Sequence, residues 1–489
     1  MIFAAACADD PQQAPPLRSE AGPDRAVSPG VPAAGPHPPL VFEVGPLAPG
    51  LEVSVVARNL WPGENLYLTW STAGRGRTCP PELAGACLDL AAPEPWVGPF
   101  TADLSTTSTG AFEWAVEEGP VWLQVVALRH DGTVAASDVV ARPVNRPEEV
   151  WVGDGPPPPG VRAITGDWVV DPTAATIEAP GLEHIGGDWV VWSSVATAVS
   201  LPDLVVVGGA VSLYDTPGLS SIGAPALHTV GGSLSVNRME GLTALPGLDA
   251  LRHVGGDLYV YHDVNLRSLA GLERLERVGG GVQLWEDYAL EQVHLPSLHT
   301  VGAKLDLFDD DALSELHLPE LRGLGAYELH HCDAMTGVGL FPRLEQLPGE
   351  LTLQYDDALT SLAGLSSLRG LGAASIRFDG ALGSLAGLGA LDTVDGTFEL
   401  IGAHALPALD LPALTSVGAL TVSNDDGLVA PGLDALERVT GTLTFVDNPA
   451  LSQCAISALV DRIEVGAVVC GGNLDDGCVS VCSPADTGP

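Results

Sequence analysis

The sequence predicts an all-β protein: an antiparallel β-sandwich followed by a right-handed parallel β-solenoid of about 13 coils, each about 23 residues long. Three observations predict it. Apolar residues recur in fixed columns along residues 161–470, short alternating runs fill residues 40–146, and 58 glycines with 40 prolines suit frequent turns better than long helices.

The solenoid is read from its anchors. Aligning the second buried residue of each strand gives Val170, Val191, Leu213, Val236, Val260, Leu284, Leu307, Leu329, Leu353, Ile376, Leu400, Val422 and Phe445, in steps of 21 to 24 residues. Two residues earlier runs a second apolar column, including Trp168, Trp189, Leu234, Leu258 and Leu305. Both columns face the core, because side chains alternate along a strand. Six residues after the anchor comes a third, from Leu219 and Leu242 to Leu428 and Leu451. Ahead of each strand, Leu-x-x-Leu-x-x-Val stretches such as Leu248, Leu251 and Val254 have the spacing of a tight helical turn. No coil can bury its core alone, so the repeat must stack.

The remaining segments follow from composition and alternation. Residues 1–39 are proline-rich with little periodic hydrophobicity and read as a disordered tether. Within 40–146, Val41–Val44, Leu51–Val55, Leu66–Trp70 and Val121–Val126 alternate between turn signals, which predicts a sandwich of about seven strands. A proline-rich linker spans 147–160, and a disulfide-capped tail spans 471–489.

Charge narrows the function. With 62 acidic and 21 basic side chains the net charge is −41, a field that repels phosphate backbones, so nucleic acid is not an expected partner. The eight cysteines lie as Cys7, Cys79 with Cys87, Cys332, then Cys454, Cys470, Cys478 and Cys482. Without paired CxxC motifs at finger spacing they indicate disulfides of an oxidising compartment. Cys79 pairs with Cys87; the last four allow three connectivities, of which 454–470 with 478–482 is favoured. No run of about 18 apolar residues is present, so a spanning helix is not expected.

Four kinds of candidate site stand out. Three residues after the anchors runs a polar column, Thr173, Ser194, Thr216, Asp263, Asp287, Asp310, Asp356, Asp379, Asp425 and Asn448, broken by Met239, Cys332 and Ala403. Recurrence in every coil argues for a ladder that accepts backbone hydrogen bonds. Doubled acids at 310–311, 356–357 and 425–426 raise Ca2+ as the rival, although no calcium nonapeptide occurs. His330-His331-Cys332-Asp333 is a compact set of metal-ligand types, but alternation points its neighbours apart. One residue after the anchors an outward column carries Trp192, Tyr214, Tyr261, Trp285 and Phe308, flanked by Tyr259 and Asp306. Flat apolar rings beside carboxylates suit sugar rings or a peptide, or else a covering domain. No nucleophile elbow, zincin helix or phosphate loop is present, so no catalytic residues are assigned.

The phrase Gly247-Leu248-x-x-Leu251-x-x-Val254-Gly255-Gly256-x-Leu258-x-Val260 resembles the receptor L domain, a leucine-rich-repeat-like β-helix of receptor ectodomains and bacterial surface proteins. Asn448 to Leu451 with Cys454, and Gly472 to Cys478, are similar to its closing cap. Ala4-Ala5-Ala6-Cys7 resembles a lipobox, which implies lipidation at Cys7 and a membrane link only through that anchor. Thr78 to Leu90 resembles the cysteine loop of small sandwich modules in secreted bacterial proteins. Together these imply a lipid-anchored surface protein, non-enzymatic and without cofactor. The expected partner is an extracellular polysaccharide or another surface protein; a passive envelope module and a β-helix polysaccharide-active enzyme are the alternatives.

Overall fold

The computed structural model describes residues 40–478, except several loops before residue 157 and position 379, together with residues 483–484. The tether, Cys7 and Cys482 lie outside the described residues. Contacts divide the chain into two units, Met1–Val152 with Val161–Thr165, and Gly153–Gly160 with Gly166–Pro489.

In the first unit two antiparallel sheets share one core. Val41–Val44, Glu52–Arg58 and Ser108–Glu113 form one sheet; Val140–Pro143, Pro120–Leu128, Asn65–Ser71 and Val97–Thr101 form the other, with Val134–Ala136 added to Pro120–Leu128. Alternation supplies the packing, since Val44 and Val55 from one sheet meet Leu66, Leu68, Val121 and Leu123 from the other. The hairpin Arg75–Thr78 with Leu88–Leu90 carries the Cys79–Cys87 disulfide. Val150–Trp151 pairs in parallel with Ala163–Ile164, so the segment read as linker contains a strand.

The second unit is a parallel β-solenoid of about 13 turns of about 23 residues. All thirteen anchors are buried. From Val191 onward each anchor is paired in register with the next, Val191 to Leu213, Leu213 to Val236, and so on to Val422 with Phe445. Coils before residue 300 break the sheet strand into two short pieces at the glycine pair. From Thr300–Phe308 on the pieces merge into strands of eight or nine residues, with a register shift at the same corner. The Leu-x-x-Leu stretches close as three-residue turns: the Leu251 N–H donates to the Leu248 carbonyl at 2.9 Å and the Leu275 N–H to Leu272 at 3.0 Å.

One column was not legible from alternation. Two residues after the anchor, Ser193, Asp215, Arg238, His262, Glu286, Asp309, His331, Tyr355, Phe378, Asn424 and Asp447 all adopt positive φ, as do Gly402 and Gly472. Strict alternation would turn the third residue after each anchor outward. The left-handed residue reverses that parity, so the polar ladder enters the core and the left-handed side chain goes to the surface. The conformation costs about 1 kcal/mol or more at each non-glycine position, and the inward hydrogen bonds described below offset it.

The far end corrects the expected disulfides. Cys454 bonds to Cys478, not Cys470. Their separation of 24 residues is one coil, which stacks them on the same side of the solenoid. Cys470 instead follows Phe445 in the anchor column, on the far side of the coil, and is disulfide-bonded elsewhere. A helix Gln453–Val460, capped by the Ser452 hydroxyl accepting from the Ala455 N–H at 3.0 Å, closes this end. The coil pattern runs past residue 470, because Asn473 continues the polar ladder: the Asn448 N–H donates to Asn473 Oδ1 at 3.2 Å.

Candidate functional site

The polar ladder is bonded through one oxygen of each side chain. The Asp263 N–H donates to Asp287 Oδ1 at 2.8 Å, Asp287 N–H to Asp310 Oδ1 at 2.9 Å, and Cys332 N–H to Asp356 Oδ1 at 2.9 Å. Each carboxyl thus holds the backbone of the preceding coil, a donor that has no strand partner where the chain turns. Burial raises their pKa values, Asp263 to about 7, Asp287 to about 8 and Asp425 to about 6, with Asp310 higher than its ordinary value by a wide margin. The doubled acids point opposite ways: Asp310, Asp356 and Asp425 are buried while Asp311, Asp357 and Asp426 are exposed, so they do not converge as calcium ligands. Of the histidine cluster, His330 faces the sheet surface, His331 stacks on Tyr355 with ring centroids 5.1 Å apart, and Cys332 is a buried free thiol whose pKa burial pushes well up. These residues do not meet around one point.

The outward column is where the predicted aromatics lie. Trp192 pairs in register with Tyr214, Tyr261 with Trp285, and Trp285 with Phe308, while Asn237 interrupts the row between Tyr214 and Tyr261. The five rings therefore form two groups. Trp192 is 59% exposed at the early end, and Tyr214 lies under Arg238, whose guanidinium stands 5.9 Å from the ring centroid. Tyr261, Trp285 and Phe308 occupy three consecutive coils and line an open hollow of about 600 Å³ with Tyr259, Glu286, Asp306, Glu328 and His330. Tyr259 stacks with Tyr261 at 6.0 Å and meets Trp285 edge-on at 5.5 Å.

The polar side of the hollow is one ion cluster. Lys304, the sole lysine of the chain, places its Nζ 2.8 Å from Asp306 Oδ2 and 2.9 Å from Glu328 Oε2. Burial alone would lower the Lys304 pKa, but hydrogen bonds to these two carboxylates outweigh it and hold the ammonium above its ordinary value. Burial depresses His330 despite Asp306 and Glu328, which keeps its imidazole neutral. With Glu286 the hollow has three carboxylates against one ammonium, so it suits neutral or cationic ligands and repels anions. Asp306 and Glu328 both pair with Lys304.

No family model, curated protein or solved structure matches this chain. The reading of its surface thus rests on its own residues.

Sequence reasoning named Tyr259 and Asp306 as flanking residues and put His330 in the same outward column, but missed Glu286 and Glu328 as lining. It also missed a second aromatic run: Phe308 meets His331 edge-on, and Tyr355 stacks on Phe378 at 5.0 Å. His331, Tyr355 and Phe378 stand in the left-handed column and stack on one another, with Phe308 of the outward column against His331. Tyr355 and Phe378 remain more than 40% exposed, beyond the hollow.

Proposed function

We propose that the chain is a non-enzymatic binding protein of the bacterial cell surface, which takes a neutral polysaccharide on the sheet face of its solenoid. The observation that carries this reading is the hollow itself: Tyr261, Trp285 and Phe308 from consecutive coils, beside Asp306, Glu286 and Glu328. Sugars are bound by stacking their apolar C–H faces on such rings while carboxylates accept from their hydroxyls. The strongly acidic net charge argues against acidic glycans. The two described disulfides fit an extracellular setting, and lipidation at Cys7 would tether the chain to the outer surface. The receptor L domain reading is consistent with the coil pattern and with the closing helix and disulfide.

Binding is tested on an array of neutral and acidic glycans with the full chain, followed by titration of the best neutral ligand. Tyr261→Ala with Trp285→Ala is expected to weaken it by about 5- to 150-fold, two stacking contacts of about 0.5–1.5 kcal/mol each, with the β-sheet circular dichroism unchanged. Trp192→Ala, outside the hollow, should change it little. Undiminished binding by the double variant would overturn the hollow as the site, and chain cleavage of the glycan by wild-type protein would overturn the non-enzymatic reading.

A further inference from the structure

On the second face of the solenoid, Gln292–His294 and Glu315–His317 pair in parallel, with His294 directly in register with His317. Val293 and Leu316 point into the core, so both histidines stand on the outside. Their Nδ1 atoms approach to 3.1 Å and their ring centroids to 4.9 Å. At this separation the two nitrogens can share only one occupant, a proton or a metal ion. Bonds of about 2.1 Å, usual for imidazole on zinc, with the nitrogens 3.1 Å apart give an angle of about 95° at the ion. That lies close to the cis angle of octahedral or square-planar coordination.

We propose that His294 and His317 form a surface site for a divalent transition metal, bound through both Nδ1 atoms. The in-register pairing does the positioning: parallel strands hold equivalent side chains one strand spacing apart, so neither ring must be brought from elsewhere. Two protein ligands leave the other coordination positions to water. Imidazole selects copper, nickel and zinc over calcium or magnesium. The net charge of −41 raises the local concentration of cations at the surface. This site is independent of the aromatic hollow, which lies on the other sheet face.

Titration of the full chain with copper(II), followed by calorimetry and electron paramagnetic resonance, tests it. The expected result is one site above the background from exposed carboxylates, with nitrogen hyperfine structure from two imidazoles. His294→Gln and His317→Gln should each weaken it at least about tenfold, since even outer-shell partners of metal ligands are worth that much. The double variant should lose no more than either single one loses by removing the chelate. Both side chains lie outside the core, His294 exposed and His317 partly so, and an unchanged circular dichroism spectrum checks that the variants fold. An isotherm unchanged in the double variant, or a spectrum with oxygen ligands alone, overturns the site and shows that the two rings share only a proton.

Discussion

Raising the pH from about 5 to about 9 is expected to lower the melting temperature of the solenoid, and Asp287→Asn is expected to remove a substantial part of that loss. In the folded chain burial lifts Asp287 to about 8 and Asp263 to about 7, against an ordinary value of 3.8. Between these limits the folded protein holds protons that the unfolded chain has released. Each such carboxyl therefore contributes stability that is complete below about pH 4 and is lost as pH rises toward the folded value, at about 1.4 kcal/mol per pH unit. Charges at Asp263 and Glu286 act in the same direction at Asp287, as Asp287 does at Asp310, while the backbone hydrogen bonds to Asp263 and Asp287, and His262 beside Asp263, oppose without outweighing burial.

The asparagine variant isolates the ladder from the general self-repulsion of an acidic surface. Asn448 already shows the neutral geometry, its Oδ1 accepting from the Asp425 N–H at 3.0 Å and its Nδ2 donating to the Val422 carbonyl at 3.0 Å. By register, the carbonyl equivalent to that of Val422 is Val260 for position 287. Oδ2 of Asp263, Asp287, Asp310 and Asp425 is sealed from solvent and meets no hydrogen-bond partner, so a full negative charge there would be poorly satisfied. Reversible denaturation at three pH values measures the slope. Equal slopes in wild type and Asp287→Asn would exclude the ladder as its source. Asp287→Leu, which strips the Asp263 N–H of its acceptor, should instead cost about 1–3 kcal/mol at every pH.

How much of this was legible depends on which side chains carry the signal. Core columns are readable because burial demands apolar residues whatever the backbone does, and every anchor from Val170 to Phe445 is buried where the period places it. The left-handed column is not, since arginine, tyrosine and phenylalanine at 238, 355 and 378 carry no turn signal, although Asp215, Asp309, Gly402, Asn424, Asp447 and Gly472 hint at it. Alternation told that Trp285 and Phe308 face outward and that Asn237 stands between Tyr214 and Tyr261, but not that Arg238 would lie over Tyr214. The Cys454–Cys478 pairing was available in the period, as a separation of one coil, yet proximity in sequence favoured the wrong partner. The cap helix is only eight residues long, too short for a clear 3.6-residue pattern.

The second large effect is expected at the corner where the two parts of the sheet strand meet. Gly302→Ala should destabilise the solenoid by about 3 kcal/mol or more, whereas Gly380→Ala should be neutral or slightly stabilising. A Cβ on Gly302 would stand 2.0 Å from the Gly279 carbonyl oxygen of the coil beneath. The atom in the way belongs to the backbone, so no rotamer change relieves it. Opening the coils would break the ladder that joins Thr300–Phe308 to Val282–Trp285. Nothing lies within 4 Å of the same atom on Gly380, and its substitution only removes freedom from the unfolded chain. The corner repeats coil after coil, as Gly325 on the Ala303 carbonyl and Gly349 on Gly325 show, so a clash at Gly302 cannot be relieved by shifting one neighbour. Chemical denaturation of the two variants checks the contrast; equal stabilities would mean that the coils are loosely enough stacked to admit a methyl group. The same stack sets the spacing of Tyr261, Trp285 and Phe308, so Gly302→Ala should also weaken ligand binding although it touches no ligand. Tight corner packing is therefore the condition on which the sheet face keeps its rings in register.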